Sequence, residues 1–292
     1  MDAPGLLLVS FAPGFFWLWF VVRLDRFRRP SLRIIGLTFA AGMLSTVPAG
    51  FINAFTVDNA VFEAGASLSA LAVTMLLAVG PVEELSKYLA VRWSGFRSLY
   101  LEDTSDGLVL GAAAALGFAS VENVGYVLAF GPEVMVLRAP LSSVGHVVFA
   151  SAWAVGLARS KQGRSNPVLW FGMLAAAAAL HGVFNVLATV FLPGAALLVA
   201  AGVWLVRAHM RRLAETSPLR LRRNVPVLPC PVCGEPVRSG SHFCPHCGAQ
   251  LGARRLSSAR AAVCSNCGHP NNADARFCTA CGDQLVSVDA TL

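Results

Sequence analysis

Apolar residues fill the first 207 positions in blocks of about twenty, separated by short polar loops. A helix rising 1.5 Å per residue needs a block of that length to cross a hydrocarbon core of about 30 Å. The breaks predict spans near residues 5–22, 34–56, 65–91, 107–130, 141–158, 167–192 and 195–207. The seventh block is short, and Arg207 at its end is expected to snorkel to the interface. The first block reads as a span rather than a signal peptide, because its charges follow the apolar run and no small-residue cleavage pattern appears.

Composition narrows the class. Of 292 residues, 55% are hydrophobic and only 13% charged, which excludes an ordinary soluble domain and predicts a multi-pass membrane protein. Charge is unevenly placed. Residues 1–206 hold 12 Lys/Arg against 11 Asp/Glu, whereas residues 207–292 hold 11 Arg against 5 acids, and all eight cysteines follow residue 229. The loops on one side carry Arg23, Arg26, Arg28, Arg29, Arg33, Arg92, Arg97, Arg159, Lys161 and Arg164; the opposite loops carry Arg138 alone. The positive-inside rule then predicts a plasma-membrane protein with its N-terminus outside and its tail in the cytosol.

Four polar stretches interrupt the apolar blocks: Glu83-Glu84-x-x-Lys87, Glu122-Asn123, His146 and His181-x-x-x-Asn185. A charge at the centre of a membrane helix costs roughly 2.5–3.5 kcal/mol on insertion scales. Glu83 with Lys87, Phe118 with Glu122, and His181 with Asn185 are each four residues apart and share a helix face. Counting rise from the cytosolic ends puts Glu122, His146 and His181 at a common depth of roughly 20–22 Å, within reach of Glu83. Gly80-Pro81 weakens the helix just before the glutamates and predicts a kink. Gly111 and Gly117, with alanines between, predict close packing around the Glu122 helix.

A buried ion pair and two hydrogen-bonding histidines would account for any one of these stretches. All four together point to function, since ionisable residues inside a membrane are rare and usually serve a purpose. Carboxylate and histidine chains also relay protons, so a proton-coupled transporter is one alternative; a non-catalytic scaffold working through its tail is another. Hydrolysis fits the set best. A carboxylate in an apolar site is suited to act as general base toward water, and the His181/Asn185 face offers donors to an oxyanion. Equally, His146, His181 and a glutamate form a metal-ligand set, on which a Zn²⁺ would bring its bound water to a pKa of about 7. Spacing leaves both open, and the H-E-x-x-H motif is absent.

The set Glu83-Glu84-x-x-Lys87, Asp106-Gly107, Gly117-Phe118-Ala119-x-x-Glu122-Asn123-x-x-Tyr126, His146 and His181-x-x-x-Asn185 closely resembles the PrsW family of intramembrane proteases. Ala12-Pro13-Gly14 and Asp25-Arg26 before Pro30 are similar to that family's first span and loop, so the resemblance covers roughly residues 10–205. It implies cleavage of membrane-anchored anti-sigma factors on the outer side, the first cut of a stress-signalling cascade. Through the related type II prenyl-protein endopeptidases it implies Glu83 as general base with Glu84 as partner. By the same route Lys87 neutralises or orients the pair, and His181 and Asn185 hold the oxyanion. Those endopeptidases have a histidine where this chain has Glu122, which weakens the transfer of their mechanism and keeps a metal bound by Glu122 and the histidines open.

The tail reads C-x2-C-x10-C-x2-C twice at an interval of 34 residues: Cys230, Cys233, Cys244 and Cys247, then Cys264, Cys267, Cys278 and Cys281. Four thiolates in two knuckles suit tetrahedral Zn²⁺, and a reducing cytosol argues against disulfides. This resembles tandem zinc ribbons, each too small to fold without its ion. The expected fold is an all-α polytopic membrane protein of about seven transmembrane helices with two small C-terminal zinc-ribbon modules. Its expected parts are a membrane protease domain over 1–207, a basic juxtamembrane linker over 208–229, and ribbons over 230–251 and 264–285. A linker over 252–263 separates the ribbons, and 286–292 form a tail. Expected partners are a membrane-anchored substrate, the bilayer and a cytosolic protein at the ribbons. Nucleic acid is disfavoured, because no aromatic stacking array accompanies the basic residues.

Overall fold

The computed structural model describes residues 1–24, 31–57, 67–96, 101, 104–161, 163, 166–216, 227–238, 247–251, 262–264, 266–267, 270–271, 281 and 284. The chain divides into two compact units, Met1–Leu221 and Arg222–Leu292. Among the described residues the first unit holds seven helices long and apolar enough to cross a membrane. They are α1 (Ala3–Leu24), α2 (Leu32–Val57), α3 (Leu68–Ser94), α4 (Thr104–Phe130), α5 (Pro132–Lys161), α6 (Pro167–Val190) and α7 (Leu192–Thr216).

The bundle is organised around α4, which is buried without a break from Thr104 to Ser120. Small residues make that possible. A Cβ added to Gly42 of α2 would overlap the Ala114 carbonyl, and one on Gly117 would overlap the Phe39 carbonyl. The α2–α4 crossing is thus locked by reciprocal backbone contacts, as dispersion-driven helix packing in lipid requires. Ala154 of α5 lies in the same way against Gly107 and Gly111. Large apolar side chains such as Phe51, Phe55, Leu77 and Trp93 point outward instead, onto the surface that lipid would cover.

Both prolines nearest the polar residues are absorbed by a wide, π-helical turn. Pro81 has no N–H to give, and the turn Met75–Val79 before it closes through Gly80 N–H to the Met75 carbonyl. In α5 the turn Arg138–Ser142 contains Pro140 and closes through Ser143 N–H to the Arg138 carbonyl. This corrects two expectations. The fifth span begins at Pro132 rather than near 141, because Pro140 widens the helix instead of ending it. Arg138 is therefore a buried helical residue, not a loop charge. The seventh helix runs on to Thr216. Its 25 residues span about 37 Å, and the first part of the expected 208–229 linker is helical.

Among the described residues the second unit contains two antiparallel strand pairs, β1 (Val227–Pro229) with β2 (Pro236–Arg238) and β3 (Ala262–Val263) with β4 (Pro270–Asn271). Cys230 and Cys247 bring their sulfurs to 3.8 Å, and Cys264 and Cys281 to 3.6 Å. Thiolates on one tetrahedral Zn²⁺ with 2.3 Å bonds lie about 3.8 Å apart. Cys233 and Cys267 join their respective groups. Cys244 and Cys278 lie outside the described residues.

Candidate active site

Residues scattered over five helices meet in one hydrogen-bonded cluster. Glu83 and Glu84 follow the wide turn of α3 and, being adjacent, point about 100° apart, so they serve different partners. Glu84 is wholly buried and saturated. Its Oε1 accepts from Lys87 Nζ at 2.8 Å and from His181 Nδ1 at 2.9 Å, and its Oε2 accepts from Trp153 Nε1 at 2.8 Å. Glu83 is only half engaged. Its Oε1 accepts from Asn53 Nδ2 at 3.0 Å, while its buried Oε2 has no hydrogen-bond partner among the described residues. That oxygen lies 3.6 Å from His181 Nε2 and 3.5 Å from Lys87 Nζ.

The histidine tautomers follow from what surrounds them. An ammonium only donates, so His146 Nδ1 accepts from Lys87 Nζ at 2.8 Å, and its Nε2–H donates to Glu122 Oε2 at 2.9 Å. An ionised carboxylate only accepts, so His181 donates Nδ1–H to Glu84, and its Nε2 faces Glu83 Oε2 at 3.6 Å. The two rings meet edge to face at 5.0 Å, with Phe149 stacked on His181 at 5.1 Å. Lys87 lies 4.5 Å above the Phe118 ring. Arg138 closes the far end: Nη2 donates to Glu122 Oε2 and Nε to Asn123 Oδ1, both at 2.8 Å. Asn123 in turn donates to the Ser10 carbonyl of α1 at 3.3 Å.

The cluster floors a cavity of about 510 Å³ whose walls include Gly50, Asn53, Glu83, Glu122, His146 and Asn185. Val57, Thr189 and Leu192 also line it, so it occupies the end of the bundle where α2 and α6 finish, opposite the Arg92 and Arg159 ends. Glycines bring the helices to this depth. A Cβ on Gly80 would overlap the Ala178 carbonyl, and one on Gly182 would come within 2.5 Å of the Met75 carbonyl, which presses α6 onto the wide turn of α3.

Of the residues singled out in the sequence, Glu83, Glu84, Lys87, Glu122, His146 and His181 form one chain of contacts. Asn123 joins through Arg138, and Asn185 stands on the cavity wall. Three participants were not singled out: Arg138, Asn53 and Trp153. Trp153 lies seven residues after His146, on the same helix face. Asn53 is a lone amide near the end of an apolar block.

Comparison with known proteins bears on what such a cluster is for. A family profile described as "PrsW family intramembrane metalloprotease" matches residues 30–209. The chain belongs to the PrsW family. A PrsW relative from Shouchella clausii (strain KSM-K16), "Protease PrsW", is 28% identical over 190 residues, 64% of this chain and 85% of that protein. "Protease PrsW" of Geobacillus kaustophilus (strain HTA426) is 27% identical over 183 residues, 62% and 78% of the two chains. "Protease PrsW" of Bacillus subtilis (strain 168) is 24% identical over 188 residues, 63% and 83% of the two chains. A second profile, "Double zinc ribbon", matches residues 230–282. No solved structure matches the chain. This PrsW family member is thus a multi-pass intramembrane protease carrying a double zinc ribbon.

Proposed function

We propose that the chain hydrolyses a peptide bond of membrane-anchored proteins at the outer face of the plasma membrane, with Glu83 as general base. One observation carries this reading: Glu83 Oε2 is buried, has no hydrogen-bond partner among the described residues, and lies 3.6 Å from His181 Nε2. A water donating to Glu83 Oε2 turns its lone pairs away from the carboxylate, toward the cavity. Glu83 takes a proton as the water oxygen bonds to the carbonyl carbon, then gives it to the leaving nitrogen as the C–N bond breaks. His181 has spent its Nδ1–H on Glu84. With that donor taken, we assign the oxyanion to the Asn185 amide on the cavity wall. Glu84 and Lys87 hold the two histidines, and Glu122 with Arg138 holds His146.

The donor set also fits a divalent metal. Glu83, His146 and His181 are all buried, with ligand atoms within 4.8 Å of one another. The Glu83–His181 separation of 3.6 Å is near the roughly 3.4 Å between two ligands of a tetrahedral ion with bonds of about 2.0–2.1 Å. These three residues would hold it, with His146 giving up one of its present hydrogen bonds. A bound Zn²⁺ would supply a water ionising near pH 7 and polarise the scissile carbonyl.

The arginine-rich loop ends favour an outer cavity and a cytosolic tail. The ribbons, each holding a structural Zn²⁺, would then meet a cytosolic protein. The test is cleavage of single-span substrates, a membrane-anchored anti-sigma factor first, by the full chain in vesicles. Glu83→Gln is expected to abolish cleavage at unchanged membrane level; a variant that still cleaves overturns the assignment. Zinc above two ions per chain that falls to two in Glu83→Gln places a metal with Glu83. Two ions with full activity leave the water to the glutamate.

A further inference from the structure

We propose that Asn53 of α2 both holds the general base and takes a backbone N–H of the scissile segment, an inference that rests on the peptidase reading above. Asn53 follows the α2–α4 lock at Gly42 by eleven residues, about three helical turns, so the glycine contact that seats α2 on α4 also fixes the depth and azimuth of this amide. Thr46, Gly50, Asn53 and Val57 form one face of α2, and that face walls the cavity. Nδ2 donates to Glu83 Oε1 at 3.0 Å. This turns the other carboxylate oxygen toward His181 Nε2. With Nδ2 on the carboxylate, Oδ1 faces away from it.

That Oδ1 is buried and has no hydrogen-bond partner among the described residues. An orphaned carbonyl in a packed bundle costs free energy until a donor reaches it. The missing donor is what a peptidase substrate brings. A peptide bond presented for attack has left its helix, and its N–H groups have lost their internal partners and need new ones. An amide bonded to the base on one side and to the substrate backbone on the other ties the position of the scissile bond to that of Glu83. Recognition of this kind reads the main chain, so it favours an unwound segment over a particular side chain. It holds equally whether Glu83 acts on water directly or through a metal, since an amide that orients a ligand acts in both cases.

The test uses the full chain in vesicles and a synthetic single-span peptide that the wild type cleaves. A set of such peptides carries an ester in place of one backbone amide, moved position by position through the cleaved segment. Asn53→Leu, which keeps size and loses both polar atoms, is expected to lower kcat/KM by about 10–100-fold. One ester position should weaken cleavage by the wild type and cost nothing further in Asn53→Leu, the non-additivity of two groups in contact. Asn53→Ser, milder in packing, should show the same loss of coupling if the leucine variant does not accumulate. Wild-type kcat/KM in Asn53→Leu overturns the proposal. So does a full set of esters whose costs are the same in variant and wild type. Failure of the peptidase reading looks different: the wild type then cleaves no peptide, or Glu83→Gln cleaves as well as wild type.

Discussion

Replacing each of the adjacent glutamates by glutamine should separate stability from chemistry. Glu84 accepts three N–H groups at 2.8, 2.9 and 2.8 Å and is fully buried, as is its partner Lys87. Glutamine offers one acceptor oxygen where the carboxylate offers two, so at least one of Lys87, His181 and Trp153 meets an NH₂ group instead. Removing one partner of a buried ion pair costs about 3–5 kcal/mol, because the other charge stays buried and uncompensated. Glu84→Gln is therefore expected to lower the melting temperature of the detergent-solubilised protein. At about 2–4 °C per kcal/mol for a unit of this size, the fall is roughly 6–20 °C, with cleavage lost as well. Glu83→Gln should behave otherwise. Its one hydrogen bond, from Asn53 to Oε1, survives in the amide, its Oε2 has no hydrogen bond to lose among the described residues, and Lys87, 3.5 Å away, keeps Glu84 as its closer partner at 2.8 Å. Stability should change by less than about 1 kcal/mol, while activity disappears. A melting curve by intrinsic fluorescence and a gel-based cleavage assay on the same preparations read both effects. The reasoning fails if Glu83→Gln destabilises more than Glu84→Gln, or if Glu84→Gln melts with the wild type.

Other consequences follow from neighbouring contacts. Arg138→Met should leave Glu122 uncompensated and abolish cleavage, and Arg138→Lys should not restore it, since only a guanidinium bonds Glu122 and Asn123 together; turnover of the three proteins side by side checks this. Gly182→Val should force α6 off the Met75 carbonyl, costing about 1–3 kcal/mol of stability or more. Because it displaces His181, it should also lower kcat in a single-turnover assay. Cys230→Ser with Cys247→Ser should remove one zinc per chain by atomic absorption while the melting of the membrane unit stays put, the two units being separate clusters of contacts.

Much of this architecture is legible in composition and spacing. Length and hydropathy locate seven spans, since lipid leaves a helix no other way to satisfy its backbone. The i,i+4 spacing of Glu83 and Lys87 does bring the two together, and Asn185 stands on the wall of the cavity that Glu83 lines. Arg138 was misplaced for a physical reason. A proline two residues on reads as the end of a helix, whereas here the helix widens around it and carries the arginine inward. Asn53 and Trp153 were invisible because one polar or aromatic residue in an apolar block is ordinary, and only the fold shows that each donates to a glutamate. The roles of the two glutamates were likewise beyond spacing; what distinguishes them is which oxygens already have donors.

The wide turn at Met75–Val79 makes chain length itself a carrier of information. It holds one residue more than an α-helical turn closed at the same place would, and Leu77 within it faces outward with 75% of its surface exposed. Excising that leucine removes almost no packing and lets the turn close at the same place as ordinary α-helix, so Glu83 beyond it keeps nearly its present direction. The same excision from the regular helix after Gly80 has no surplus residue to absorb it and would rotate whatever follows by about 100°. The residue count between Thr74 and Gly80 thus tells a wide turn from a plain one, and two homologues that differ there by one residue are expected to place their glutamates alike.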